Sequence, residues 1–99
     1  MSPSPEAGAP GAGPGGPAAW VYLLRCLADD SLYTGWTVDL DRRLAAHRSG
    51  AGSRYTRTRL PVELAAALPM PDAGAARREE ARIKRLTRAE KLALIAEQP

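Results

Sequence analysis

Tyr22, Tyr33, Arg43 and His47 lie in one stretch of the sequence and have side chains that can bind phosphate or exchange protons. A guanidinium binds phosphate through a bidentate fork, and an imidazole exchanges protons near neutral pH. Tyrosine is a weaker candidate, because a phenol with a pKa of about 10 is a poor acid and a poor base at neutral pH. Each residue alone also fits a packing role, since a buried tyrosine needs only a partner for its hydroxyl. Residue type therefore leaves both a site and ordinary packing open.

The arginine and the histidine lie on the face of a predicted helix that should meet the rest of the protein. Leu40, Arg43, Leu44 and His47 recur at the i, i+3, i+4, i+7 spacing, which places their side chains on one face. An arginine on such a face either extends to its edge or lines a cleft. The histidine one turn further on adds slightly to the case for a cleft, and both alternatives stay open.

Glu80 lies on the apolar face of a second predicted helix, which contains the sequence AARREEARIKRL. It shares that face with Ala76, Ile83 and Lys84, whereas Glu79 lies one position round and is expected to be solvated. A carboxylate on an apolar face is unfavourable unless it is paired or bound to a metal. The spacing therefore leaves two alternatives for Glu80, an i, i+4 ion pair with Lys84 or a metal ligand.

Hydrophobic patterning predicts the elements that carry these residues. Two apolar runs, WVYLLRCL and SLYTGWT, flank a short Asp-rich turn, which predicts an antiparallel hairpin whose first strand is central in the sheet. A third strand follows Pro61 and is expected to end at Pro69. The order β-β-α-β-α-α indicates an α+β domain with a small three-stranded antiparallel sheet flanked by helices. The predicted strands cover residues 20–27, 31–37 and 62–68, and the predicted helices cover residues 38–49, 73–86 and 88–97.

Polar residues predict where the helices begin, and one glycine marks an irregularity in a strand. Thr37 can cap the first helix, with two aspartates near the positive end of that helix. Thr87 and Glu90 have the spacing of a capping box at the start of the last helix. Gly35 interrupts the second strand, where an interior glycine usually marks a bulge or a close backbone approach.

Composition divides the chain into an N-terminal tail, residues 1–17, and a domain, residues 18–99. The tail contains ten glycines and prolines, so it cannot bury enough apolar surface to fold and is expected to be disordered. It lacks the basic and apolar regions of a secretory signal, and no segment of the sequence is long enough to span a membrane. The single cysteine, Cys26, lies in an apolar run and is expected to be buried, which indicates a reducing, cytoplasmic setting.

The domain is basic, with 14 basic and 10 acidic residues, and 12 of the basic residues are arginines. An arginine-rich basic domain is compatible with nucleic-acid binding. The same composition also follows from a GC-rich genome. Charge alone therefore does not decide the class of partner.

These residues together resemble the motifs of the GIY-YIG nuclease superfamily, over about residues 20–94. The first motif is WVY, ending at Tyr22, and the second is YTG, beginning at Tyr33, at the spacing that the family has. Arg43, His47 and Glu80 match the family's catalytic arginine, a position held by histidine or tyrosine, and its metal-binding glutamate. The segments SGAGSRYTRTRLPVEL and EARIKRLTRAEKLALI look like those of small, stand-alone bacterial members.

The resemblance implies a metal-dependent endonuclease that hydrolyses DNA phosphodiester bonds, with a role in DNA repair or recombination. It implies one divalent cation, Mg²⁺ or Mn²⁺, held by Glu80. Tyr22 would be the general base toward water, with its phenolate stabilised by Arg43 and its proton accepted by His47. Arg43 would also bind the scissile phosphate, and Tyr33 would orient water or phosphate. Gly35 would let the backbone turn beside the site.

The resemblance also implies DNA, branched or damaged, as the partner, and it allows a protein partner but no membrane. Basic and aromatic residues of the loop over residues 51–60 and the second helix are expected to contact the DNA backbone or stack on a base: Arg54, Tyr55, Arg57, Arg59 and Lys84. Two alternatives stay open. One is a non-catalytic nucleic-acid-binding module that retains the fold. The other is a protein-interaction domain whose Ala-rich C-terminal helix docks a partner.

Overall fold

A three-stranded antiparallel sheet forms the centre of the computed structural model, which describes residues 16–98. The strand order is β2-β1-β3, so the continuous apolar run is the central strand, as predicted. The α+β class is confirmed, whereas the predicted tail lies outside the described residues except for residues 16 and 17. The strands are β1 (Ala19–Cys26), β2 (Ser31–Thr37) and β3 (Val62–Met70), and the helices are α1 (Leu40–Arg48), α2 (Arg54–Arg57), α3 (Ala73–Lys84) and α4 (Arg88–Ala96).

Strand β1 is buried on both faces because alternate side chains pack against different helices. Cys26 is fully buried, as its apolar surroundings predict. One buried cluster packs with α3 and α4 and consists of Ala19, Val21, Leu23, Ala66, Ala76 and Ile83. The other cluster packs with α1 and consists of Tyr22, Leu24, Cys26, Leu44 and Val62. None of the helices described in residues 16–98 is long and apolar enough to cross a membrane.

Two predicted boundaries were wrong for identifiable reasons. Strand β3 continues through Pro69, which pairs with Trp20, because an edge strand tolerates a residue that has no N–H to donate. Helix α1 begins at Leu40, since Asp39 and not Thr37 is its N-cap and accepts a hydrogen bond from the backbone N–H of Arg42 at 3.1 Å. The predicted capping box at the start of α4 is present.

The turn between β1 and β2 is anchored by three arginines from other parts of the fold. Arg59 Nε lies 3.0 Å from Asp29 Oδ2, and Arg88 Nη2 lies 3.1 Å from Asp30 Oδ2. Arg25 Nε lies 3.4 Å from the other oxygen of Asp30. Each exposed pair contributes little free energy. Together they fix the position of the turn relative to α4 and to the loop over residues 51–60, called the basic loop below.

Candidate active site

The ring of Tyr22 lies across Gly35, its partner on the neighbouring strand β2. A Cβ on Gly35 would lie 2.5 Å from the hydroxyl oxygen of Tyr22 and 2.6 Å from Cζ. The predicted close approach at this glycine is therefore the approach of a side chain, not a bulge in β2. Any larger residue at position 35 would displace the phenol.

The hydroxyl of Tyr22 is held between two side chains of α1. His47 Nε2 lies 2.8 Å from the hydroxyl oxygen, and Arg43 Nε donates to the same oxygen at 3.3 Å. The i, i+4 spacing of Arg43 and His47 places both on the helix face that meets the sheet. Tyr22 and His47 are fully buried, and Arg43 is half-buried. Three of the five predicted catalytic side chains are therefore in direct hydrogen-bond contact.

Burial keeps both titratable partners of this contact neutral. Burial raises the pKa of Tyr22, the hydrogen bond from Arg43 opposes that rise, and the charges of Tyr33 and Glu80 add to it. Burial, helped by the positive charge of Arg43, lowers the pKa of His47 to about 4. At neutral pH the site therefore contains a neutral phenol, a neutral imidazole and one guanidinium cation.

The low pKa of His47 predicts that the protein loses stability as the pH falls. Unfolded histidine binds a proton below about pH 6.5, whereas His47 in the fold binds one only near pH 4. This contribution to the free energy of unfolding is complete above the unfolded pKa and is lost as the pH falls toward the folded one. Between pH 7 and pH 5 the loss is expected to be about 2 kcal/mol, measured by urea denaturation. His47→Gln should remove this part of the pH dependence, and equal slopes in both proteins would contradict the prediction.

Arg43 is oriented by two hydrogen bonds and keeps donors for a ligand. Its Nη2 donates to the carbonyl oxygen of Gly52 at 2.7 Å, in addition to the bond from Nε to Tyr22. The bond to Tyr22 raises the pKa of Arg43, so the guanidinium stays charged. A guanidinium has five N–H groups. The guanidinium therefore has further N–H groups that can bind a phosphate.

The segment over residues 52–56 was predicted as part of an exposed basic loop, but it forms the inner wall of the site. Ser53 is the N-cap of the short helix α2, and its hydroxyl accepts the backbone N–H of Thr56. Thr56 is fully buried, and its hydroxyl lies 2.8 Å from Nδ1 of His47. A Cβ on Gly52 would overlap the imidazole and lie 2.8 Å from the Cα of His47. Sequence reasoning missed these three residues, although serine is among the residues preferred as a helix N-cap.

Glu80 is the fourth predicted catalytic residue. It approaches Tyr22 from α3, whereas Arg43 and His47 lie on α1. Helix α3 packs against β1 and β2, and the Glu80 carboxylate is close enough to Tyr22 to raise the pKa of its phenol. Lys84 Nζ lies 3.4 Å from Oε2 of Glu80, so the predicted i, i+4 ion pair is also present. Glu79 instead binds Arg82 at 2.8 and 2.7 Å, which lowers the pKa of Glu79. Of the two glutamates, Glu80 is therefore the one whose charge acts on the phenol of Tyr22.

The donor set around Glu80 fits a weakly coordinated hard cation. Within the described residues 16–98, no three His, Cys, Asp or Glu side chains come together as a metal cage. Mg²⁺ commonly binds one or two carboxylates and keeps several water ligands, so a complete protein cage is not required. A half-buried carboxylate with one oxygen in a long contact to Lys84 meets that requirement.

Tyr33, the fifth predicted catalytic residue, belongs to an aromatic cluster at the mouth of the site. Its ring centroid lies 5.2 Å from that of His47 and 6.4 Å from that of Tyr22. Tyr55 lies 5.8 Å from Tyr33, and the guanidinium carbon of Arg59 lies 3.8 Å from the centroid of the Tyr55 ring. The cluster therefore links the site to the basic loop.

The residues predicted to contact nucleic acid fall into two groups in the structure. Arg54 and Arg57 are exposed on α2, where their side chains can reach a ligand. Arg59 and Lys84 have intramolecular partners, because Arg59 binds Asp29 and Lys84 binds Glu80. A groove of about 410 Å³ beside the site adds a surface that was not predicted, lined by Thr37, Val38, Asp39, Arg42, Arg43 and Ala46.

The three-stranded sheet and the tyrosine, arginine and histidine beside it define a class of nuclease-like domain. A family model described as the GIY-YIG catalytic domain matches residues 18–93, and the chain belongs to the GIY-YIG family. This family is a nuclease superfamily, and its members generally use divalent metals and act on DNA.

The most informative relatives are small proteins of similar length. A UPF0213 protein from Syntrophus aciditrophicus is 44% identical over 81 residues, which cover 81% of this chain and 92% of that protein. A UPF0213 protein from Xanthomonas axonopodis pv. citri is 49% identical, with 80% of this chain and 76% of that protein covered. A solution NMR structure of a UPF0213 protein from Bacillus halodurans is similar with a TM-score of 0.52 and 44% identity, covering 79% of this chain and 82% of that one. These names state no activity, so the geometry of the site is the basis for assigning a reaction to this protein.

Proposed function

We propose that this protein is a metal-dependent endonuclease that hydrolyses DNA phosphodiester bonds at the Tyr22 site. The observation that carries the proposal is the position of the Tyr22 hydroxyl, 2.8 Å from a neutral imidazole and 3.3 Å from an arginine N–H. A hydroxyl in ordinary packing needs one partner. Here it has a proton acceptor on one side and an anion-binding cation on the other, as hydrolysis of a phosphodiester requires.

This geometry supports the following roles for the protein side chains. Arg43 binds the scissile phosphate and stabilises the charge that develops on its oxygens. Tyr22 accepts a proton from the attacking water while it gives its own proton to His47 Nε2. Tyr33 orients the water or the phosphate at the mouth of the site. No step requires a tyrosinate to accumulate, which the raised pKa of Tyr22 would oppose.

Glu80 would hold the divalent cation, Mg²⁺ or Mn²⁺. When bound, the cation supplies Lewis-acid stabilisation of the phosphoryl oxygens. The ion pair with Lys84 holds the carboxylate in place until then, and its long contact costs little to break.

DNA is expected to lie across the face formed by α1 and α2. Arg54 and Arg57 are exposed on α2, and the groove beside Arg43 adds Arg42 on α1. Phosphate contacts of this kind give affinity that falls steeply with salt and carries no sequence information. DNA shape, as in the branched or damaged substrates of repair and recombination, is therefore the favoured determinant of where this protein cuts.

The metal site predicts a specific response of DNA cleavage. Purified protein should nick DNA with Mg²⁺ or Mn²⁺ and stop when the metal is chelated. Loss of a residue that only hydrogen-bonds to a metal ligand already weakens metal binding about 10- to 100-fold. Glu80→Gln removes the proposed ligand itself, so it should raise the Mg²⁺ concentration for half-maximal cleavage at least about tenfold. Glu79→Gln, its neighbour bound to Arg82, is the matched control and should leave this concentration unchanged.

Cleavage assays on several forms of DNA test whether this protein is a nuclease. Wild-type protein should be assayed on duplex, single-stranded and branched DNA with each metal. A protein that binds these substrates in a salt-dependent way but cuts none of them would be a non-catalytic nucleic-acid-binding module. A protein whose cleavage is insensitive to metal would contradict the proposed role of Glu80.

A further inference from the structure

The hydrogen bonds of the site continue beyond His47 to two hydroxyl groups that have no role in the steps above. His47 Nδ1 lies 2.8 Å from Thr56 Oγ1, and Thr56 Oγ1 lies 2.9 Å from Ser53 Oγ. His47 and Thr56 are fully buried, whereas Ser53 is half-buried. A line of hydrogen-bonding atoms therefore runs from the hydroxyl of Tyr22 to the border of the protein.

The acceptors at the far end favour one set of directions for these bonds. Thr56 has one hydroxyl proton, and Ser53 offers it two acceptors, Oγ at 2.9 Å and the backbone carbonyl at 3.4 Å. With that proton directed at Ser53, the oxygen of Thr56 can accept the Nδ1 proton of His47. A neutral imidazole carries one proton, so Nε2 is then left as an acceptor for the hydroxyl of Tyr22.

We propose that Thr56 is a positioning residue that holds His47 in the Nδ1–H tautomer, and that His47, Thr56 and Ser53 relay the proton of Tyr22 to solvent. The catalytic part of this inference rests on the proposed nuclease function, whereas the tautomer does not. An orienting partner on one nitrogen commonly decides which form of an imidazole acts in catalysis.

The relay keeps every buried group neutral. Attacking water gives a proton to the oxygen of Tyr22, whose own proton passes to Nε2 of His47. The Nδ1 proton passes to Thr56 Oγ1, the Thr56 proton to Ser53 Oγ, and the Ser53 proton to a solvent water. The oxygen of the attacking water keeps its electron pair and forms the new bond to phosphorus. The bond from phosphorus to the leaving sugar oxygen breaks, and that oxygen keeps the bonding pair and takes a proton from a solvent water. An imidazolium is avoided, in agreement with the lowered pKa of His47.

The backbone of the same segment supports a positioning role. The carbonyl of Gly52 accepts the Nη2 proton of Arg43 at 2.7 Å, and the missing side chain of Gly52 leaves room for the imidazole. Residues 52–56 thus touch both side chains that bind the hydroxyl of Tyr22.

The tautomer can be measured directly because His47 is the single histidine of the chain. Long-range ¹H–¹⁵N NMR correlations should show the Nδ1–H form in wild type and in Thr56→Ser, which keeps the hydroxyl. Thr56→Val has a similar shape without the hydroxyl, and it should shift the population toward Nε2–H. In the cleavage assay, kcat of Thr56→Val should fall about 100-fold with KM unchanged, while Thr56→Ser stays near wild type.

Several outcomes would overturn the inference. An Nε2–H form in wild-type protein would do so without any variant, even if Thr56→Val failed to fold. Equal losses of kcat in Thr56→Val and Thr56→Ser would indicate a packing role. If wild-type protein cut no DNA, the proposed function would fail, and the tautomers of wild type and the two variants would still decide the positioning role of Thr56.

Discussion

Tyr22→Phe is expected to lower kcat for DNA cleavage by about 100- to 10,000-fold, the range typical for loss of a general acid–base group. Phenylalanine keeps the ring that packs over Gly35 and removes only the hydroxyl that contacts His47 and Arg43. The substitution therefore breaks the proton path at its first protein atom. DNA affinity should change little, since the proposed phosphate ligands are Arg43 and the exposed arginines. Single-turnover cleavage and a separate binding titration measure the two effects.

Tyr55→Phe is the matched control, because it removes a tyrosine hydroxyl from an exposed position of the same aromatic cluster. Its kcat should stay close to that of wild type. In Tyr22→Phe the loss of the hydroxyl leaves the buried Nε2 of His47 without a partner. The free energy of unfolding of this variant is therefore expected to fall by about 1–3 kcal/mol. Thermal unfolding should therefore accompany the assay. A folded Tyr22→Phe protein that cleaves at the wild-type rate would show that another group activates the water.

Arg43→Ala is expected to lower kcat by about 100- to 1,000-fold, the usual effect of removing one donor that stabilises transition-state charge. Arg43 has a second effect, since its charge helps to keep His47 neutral and its hydrogen bond opposes the rise in the pKa of Tyr22. Arg43→Lys should recover little of the rate. An ammonium keeps the charge but cannot reproduce the fork that binds Tyr22, the Gly52 carbonyl and a phosphate together.

Arg48→Ala tests whether any loss is specific to the site. Arg48 lies on the same helix and is exposed, so its removal lowers the net charge by the same amount. It should weaken DNA binding and reduce the salt dependence without lowering kcat. Equal kcat losses in Arg43→Ala and Arg48→Ala would mean that Arg43 acts only through general electrostatic attraction.

Periodicity alone was enough to place the main site residues on the correct elements. The continuous apolar run predicted the central strand, and the i, i+4 spacing placed Arg43 and His47 on the inner face of α1. Local sequence could not show what the two residues meet there. The contact depends on the register of β1 against β2, which sets Tyr22 opposite Gly35. The resemblance to the GIY-YIG family indicated that Arg43 and His47 act together with Tyr22.

The basic loop shows why the rest of the site was not predicted. Helix α2 has only four residues, too few for a periodic pattern, so nothing in the spacing distinguishes the buried Thr56 from the exposed arginines beside it. The partner of Arg59 is Asp29, thirty residues earlier in the chain, and no local rule connects them. Buried hydroxyls and long-range ion pairs depend on tertiary packing, which composition and spacing do not specify.

The segment over residues 52–56 also sets a limit on how this fold can be extended. Gly52 at one end binds Arg43 and Thr56 at the other end binds His47, so a single residue inserted between them would disrupt one of the two contacts. An insertion in the turn at Asp29 and Asp30 would likewise break the ion pairs with Arg59 and Arg88. The connection at Pro71, between β3 and the N-cap of α3, is exposed and touches none of these contacts. A module grafted to change substrate choice should therefore enter the chain there, where it leaves the spacing of the active site intact.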